Sequence, residues 1–275
     1  MNNNVRIIFT DLDGTLLGSD RTLSPVNLQC LAELKESDII RVIATGRSLY
    51  SFNRVFPTEV PADFLIFSTG AGIVDIDTRR LLYSSNLGAN EIQRTSRYLH
   101  KLQLDFMVHH AVPENHFFTY CGKPENNSDF STRIELYHPF AQEFTSFEDL
   151  PEHAAQIIAI LPDDLQLFHR VKEGLSGVQI TRTTSPFDHT SIWMEISPRH
   201  TSKGTSAAWL CNHLDIEPDS TMGIGNDYND ISLLQFTRHS YLVANAPKDM
   251  HDSYRLTRSN NDDGFYHAAR EVLQF

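Results

Sequence analysis

The sequence predicts an α/β protein, a doubly wound parallel sheet interrupted by an inserted α+β domain. Three observations carry that reading. Short apolar runs without polar alternation recur at residues 5–10, 39–44 and 64–67, the pattern of strands buried on both faces. Segments with helical periodicity separate them, and strands joined by helices imply right-handed crossovers in a parallel sheet. The rhythm stops after Thr69-Gly70-Ala71-Gly72 and resumes near Ile192.

Taken in order, residues 5–10 place Val5, Ile7, Ile8 and Phe9 in the first strand. Ser24-Pro25 opens a helix, with Ser as its cap and Pro in its first turn. Val26, Leu28, Leu31 and Leu34 form the apolar stripe of that helix. Residues 39–44 read as the second strand, 47–56 as a second helix closed by Pro57, and 64–67 as the third strand. Residues 73–76 and 80–83, joined by Asp77-Thr78, have the look of a hairpin. Between 86 and 188 the chain mixes helix-like stretches (90–102, 163–173) with strand-like ones (106–109, 116–120, 156–161, 177–181) and grows richer in histidine and aromatics. From Ile192 the first pattern returns as a strand, a helix at 203–213, a strand at 220–224, a helix at 230–236, a short strand at 240–243 and a terminal helix from Phe265. The expected division is therefore 1–85 with 189–275 for the α/β domain, and 86–188 for the insert.

Composition narrows the function classes. With 275 residues, 40% of them hydrophobic and 21% charged, the chain can build sizeable cores. Lysine and arginine number 23 against 35 aspartates and glutamates, a net charge of −12. That deficit argues against nucleic acid as a partner, since such binding needs a basic surface. A small anionic substrate remains compatible, because one local cationic pocket can oppose the global field. No apolar run approaches the roughly 20 residues of a membrane span, so no membrane partner is expected. Met1-Asn2-Asn3-Asn4 lacks the cationic and apolar regions of a secretory leader, and Cys30, Cys121 and Cys211 are widely spaced and odd in number. Together these predict reduced thiols in a cytoplasmic protein.

Four short segments carry candidate chemistry, each at an expected strand end or helix start. Asp11-Leu12-Asp13-Gly14-Thr15 follows the first strand, and ligands of open parallel sheets bind outside the carboxyl ends of the strands. Two carboxylates two residues apart can divide the work: one attacks, the other moves a proton. Thr45-Gly46-Arg47 follows the second strand and precedes a helix, where a hydroxyl, an amide and a helix N-terminus suit a phosphate. Lys203, after Ser202 at another helix start, can neutralise a phosphate as a point charge. Gly225-Asn226-Asp227-Tyr228-Asn229-Asp230 clusters oxygen donors of the kind that suit Mg²⁺. Each segment alone is an ordinary turn or cap; their joint placement is what points to a site.

Asp-Leu-Asp-Gly-Thr, Thr-Gly-Arg, Ser-Lys-Gly-Thr and Gly-Asn-Asp-Tyr-Asn-Asp-Ile together resemble the four-motif signature of the haloacid dehalogenase superfamily. The long insert between the second and third motifs resembles the Cof-type sugar phosphatase branch with its C2-type cap. The resemblance implies that Asp11 attacks a phosphorus atom and that Asp13 first protonates the leaving alcohol and then activates water. Leu12, Thr45, the Gly46 amide, Lys203 and Asn229 would hold phosphoryl oxygens. Mg²⁺ would bind Asp11, the Asp13 carbonyl and a side chain of the fourth motif. The implied activity is Mg²⁺-dependent hydrolysis of a small phosphorylated metabolite, a sugar phosphate being the best fit, under a cap that excludes water. Two alternatives share the motifs: a phosphotransferase or phosphomutase, and a phosphate-binding regulatory protein with weakened turnover.

Two positions depart from the branch. Asn226 stands where an aspartate usually ligates the metal, so either its amide oxygen serves, or Asp227 or Asp230 supplies the carboxylate. We favour Asn226 as the ligand, with Asp230 and Asp227 behind it. Thr69 stands where the branch often has Asn. In the insert, the His109-His110 pair has no suitably spaced partner for zinc. Phe117, Phe118, Tyr120, Phe130 and Tyr137 are expected to pack a core rather than stack on a ligand, and Lys123 and Arg133 to be surface charges.

Overall fold

The computed structural model describes residues 5–56, 61–185 and 187–273. Pro57, expected to close the second helix, and the N-terminal Met1-Asn2-Asn3-Asn4 stretch lie outside the described residues. By its internal contacts the chain divides into two compact units, residues 1–47, 52–83 and 202–275, and residues 48–51 with 84–201.

The first unit begins with β1 (Ile7–Thr10), every residue of it buried. α1 (Pro25–Glu36) follows, and the Ser24 hydroxyl accepts from the Asn27 amide as the Ser-Pro pair predicts. β2 (Ile40–Ala44) pairs parallel to β1, with Phe9 opposite Val42. α2 (Leu49–Val55) is shorter than expected. β3 (Phe64–Phe67) continues the parallel order, and β4 (Gly72–Asp75) turns back antiparallel against it. β5 (Leu81–Ser84) completes that edge.

The second unit holds β6 (Leu87–Gly88), α3 (Ala89–Lys101), β7 (Phe106–His110), β8 (Phe118–Cys121), α4 (Ser128–Leu136), β9 (Ala141–Glu143), β10 (His153–Leu161), α5 (Leu165–Glu173), β11 (Val178–Thr184) and β12 (Ile192–Pro198). Its sheet runs β11-β12-β10-β7-β8-β9, largely antiparallel. β12 is the strand expected to resume the first sheet. It pairs instead with β10 and β11, Ile196 lying opposite both Ile157 and Ile180. The physical reason is its two-sided character: Ile192, Met194 and Ile196 join the core under α3 and α5, while Trp193 joins the one under α4. A strand buried on both faces reads alike in either sheet. Phe118, Phe130 and Tyr137 are core residues and Lys123 is exposed. Arg133 is half-buried, its guanidinium 4.0 Å from the centre of the Tyr137 ring.

His109 is 1% exposed on β7, and its Nδ1 lies 2.8 Å from the Asn115 carbonyl. A carbonyl only accepts, so Nδ1 carries the proton of a neutral ring. Burial, reinforced by the Arg133 charge, pushes its pKa down to about 3. A depressed folded-state pKa makes the associated stability complete above about 6.5 and progressively lost as pH falls toward 3. Between pH 7 and pH 5 the wild type should therefore lose about 2 kcal/mol more stability than His109→Gln. Denaturant melts of both proteins at the two pH values check this; parallel losses would remove His109 as the acid-sensitive group.

After the insert, α6 (Lys203–His213), β13 (Thr221–Gly225), α7 (Ile231–Phe236), β14 (His239–Leu242), β15 (Arg255–Leu256) and α8 (Gly264–Leu273) return to the first unit. Its sheet runs β15-β14-β13-β1-β2-β3-β4-β5, so β1 sits at the centre between β13 and β2. Ile7, Phe9, Val42 and Ala44 pack against Ala207, Leu210 and Leu233 of α6 and α7. α1 and α8 pack together elsewhere in the unit. All strands from β15 to β3 are parallel, so their carboxyl ends share one edge.

Candidate active site

That edge collects the four segments. Asp11 is the first residue beyond β1, and its amide donates to the Ile224 carbonyl at 2.9 Å, which aligns it with the end of β13. Gly14 has φ +75°, and a Cβ there would stand 2.6 Å from the Asn226 amide. Only glycine lets this turn fold back so tightly against the fourth segment. Ser202 caps α6 through the Thr205 amide, fixing Lys203 at the first turn.

Lys203 is fully buried and bridges two carboxylates. Its Nζ donates to Asp11 Oδ1 and to Asp230 Oδ1, each at 2.6 Å. Asp230, also fully buried, accepts through Oδ2 from the amides of Asn226 (2.9 Å) and Asp227 (3.1 Å). One ion triad thus ties the first, third and fourth segments together. Burial opposes charge on both Asp11 and Lys203. For Asp11 burial prevails over the Lys203 attraction, and the nearby Asp230 and Asp13 add to it, so its pKa is raised. For Lys203 the two carboxylates outweigh burial and hold the ammonium charged.

Asp13 is gripped by Arg47, whose Nε and Nη2 reach its two oxygens at 2.6 Å each, a bidentate fork. Sequence reasoning misses this grip. Its signal is the arginine directly after Thr45-Gly46, but the contact depends on the path of a loop rather than on any periodicity.

The expected convergence of Thr45 on a helix N-terminus is corrected. α2 starts only at Leu49, and Ser48 is its cap, accepting from the Ser51 amide. The Thr45 hydroxyl instead accepts from the Arg47 amide at 3.1 Å. A Cβ placed on Gly46 would lie 3.5 Å from Thr69 Oγ1 and 3.7 Å from Asn229 Nδ2, so these polar groups line one small space. Leu12 has a buried side chain, and its carbonyl accepts from the amides of Thr15 and Leu17. Asp227 is committed to capping its own turn through the Tyr228 amide at 2.8 Å.

Three oxygen or amide groups meet beside the fourth segment: the Asp11 carboxylate, the Asp13 main-chain carbonyl and the Asn226 side-chain amide. One terminal atom of the Asn226 amide lies 3.1 Å from Asp11 Oδ2 and 3.3 Å from the Asp13 carbonyl. Ligands at about 2.1 Å in an octahedron stand about 3.0 Å apart along its edges. With its oxygen on that side, Asn226 stands at about that spacing from each of the other two donors, so these residues fit Mg²⁺ and would hold it. Around it three carboxylates (Asp11, Asp13, Asp230) face two cationic side chains (Lys203, Arg47), leaving one unit of negative charge to receive a cation.

Comparison with known proteins places the chain in a family. A family model described as haloacid dehalogenase-like hydrolase matches residues 8–268. The chain belongs to that family and is an enzyme of its hydrolase class. Putative phosphatase YxeH of Bacillus subtilis (strain 168) is 26% identical over 290 residues, which cover 98% of each chain. The structure of BT1666 from Bacteroides thetaiotaomicron, described among phosphatases of the superfamily, has a TM-score of 0.81 at 20% identity, over 98% of this chain and 96% of that one. The sugar phosphatase BT4131 has a TM-score of 0.77 at 18% identity, over 97% and 98% respectively. At such identities the structural likeness is one of fold. Among the described residues no helix is long and apolar enough to cross a membrane.

Proposed function

We propose that the protein is a Mg²⁺-dependent phosphomonoesterase acting on a small phosphorylated metabolite, with a sugar phosphate as the substrate class. The observation that carries this reading is the buried Asp11–Lys203 pair at the carboxyl edge, with Asp13 two residues on. A bound Mg²⁺ supplies charge neutralisation, which lets an anionic nucleophile approach a phosphate. Asp11 attacks phosphorus and forms an aspartyl-phosphate as the P–O bond to the alcohol breaks. Asp13 picks up a proton from solvent on leaving the Arg47 fork and gives it to the departing alkoxide. It then takes a proton from water, whose oxygen attacks the same phosphorus, releasing inorganic phosphate and restoring Asp11. Lys203 and the Gly46–Thr69–Asn229 space meet the phosphoryl oxygens, and Arg47 holds Asp13 in position. The three unpaired thiols suit a reducing, cytoplasmic setting.

Incubation with a panel of phosphorylated metabolites and Mg²⁺, assayed for inorganic phosphate, tests the proposal. Phosphate release from monoesters supports it. Transfer of the phosphoryl group to a second alcohol without release would move the protein to the phosphotransferases, and binding without turnover would make it a regulatory protein. Asp13→Asn should slow both formation and breakdown of the phosphoenzyme, each by about 10²-fold or more. Single-turnover kinetics read the two steps separately, and an unchanged second step would relieve Asp13 of its role toward water.

A further inference from the structure

The Asn226 amide has two orientations with different consequences. The terminal atom near Asp11 Oδ2 (3.1 Å) and the Asp13 carbonyl (3.3 Å) also lies 3.2 Å from the Thr15 hydroxyl. As an oxygen, this atom faces two acceptors and takes a hydrogen bond only from Thr15. As a nitrogen, it donates to Asp11, Asp13 and Thr15, and the opposite terminus, which faces only donors, becomes the acceptor. Without a cation only the nitrogen-forward orientation satisfies both ends of the amide. A cation among these groups would need the oxygen forward, which leaves the opposite NH₂ facing only donors.

We propose that Asn226 is a built-in stand-in for the cation. In the cation-free enzyme its NH₂ group cross-links Asp11 and the Asp13 carbonyl, two groups that would hold the metal, and metal entry would require the amide to turn over. An aspartate at this position has no such second state: its carboxylate would face that of Asp11 at about 3 Å and repel it until a cation arrived. Asparagine thus trades metal affinity for a nucleophile loop that is already in place before metal binds. The inference rests on the proposed Mg²⁺ site and goes beyond it, since it assigns this chain a satisfied metal-free state.

Calorimetry, thermal melts and NMR on the wild type and Asn226→Asp test it. In EDTA the variant should melt lower than the wild type, and in Mg²⁺ it should gain the larger increase in Tm. It should bind Mg²⁺ roughly tenfold tighter or more, because the wild type must surrender the amide's hydrogen bonds. In the wild type, the side-chain NH₂ resonances, assigned to Asn226 by their absence from the variant, should shift on Mg²⁺ addition and exchange faster with water. Mg²⁺ binding by both proteins with equal melts in EDTA, equal affinities or unmoved NH₂ resonances would overturn the amide turnover while leaving the metal site standing. No Mg²⁺ binding by either protein would overturn the metal reading itself.

Discussion

Asp11→Asn is expected to lower phosphate release from a chromogenic monoester by roughly 10³-fold or more, because an amide cannot serve as the attacking group. The fold should survive. The asparagine oxygen can still accept from Lys203, and Asp230 remains to pair its charge. Rapid quenching with ³²P-labelled substrate makes the claim specific: the wild type should carry acid-stable label during turnover and the variant none. Retained turnover with label on the variant would transfer the nucleophile's role to another residue.

Lys203→Met should have the other large effect, on stability and activity together. Methionine matches the length of the lysine stem but leaves Asp11 and Asp230, both buried, without their shared cation. Breaking a buried pair in this way costs about 3–5 kcal/mol. Adding Asp230→Asn removes one stranded charge, so the double variant should recover part of the lost stability and none of the lost activity. Denaturant melts beside turnover assays read this out. If Lys203→Met alone were as stable as the wild type, the triad would not be what joins the three segments.

The positions of these side chains were legible because each motif sits where an easily read strand or helix ends. β1, β2, β3 and β13 are short, mostly apolar runs, and in a parallel sheet the residues just beyond each of them emerge at the carboxyl edge. Side-chain partners within the loops were not legible. The fork from Arg47 to Asp13 and the start of α2 at Leu49 rather than 47 depend on backbone turns that carry no periodicity. In the insert, α4 is hidden in the sequence because Ser-Asp-Phe-Ser-Thr-Arg-Ile-Glu-Leu is poor in strong helix formers. The Asn127 cap and the burial of Phe130 establish it despite that propensity. The sheet that β12 joins is equally hidden, since burial on both faces is compatible with either one.

The central place of β1 bears on how the molecule is made. One flank of this strand is met early, by Ile40 of β2, but the other waits for Thr221 of β13. A ribosome emitting residues in order exposes that unpaired edge for more than two hundred codons, whereas nearly all of the second unit lies in the one stretch 84–201, which can collapse as it emerges. Loop closure over such a separation is slow, and an open strand edge is a template for mispairing. Nascent chains truncated before β13 are where chaperone dependence should be greatest.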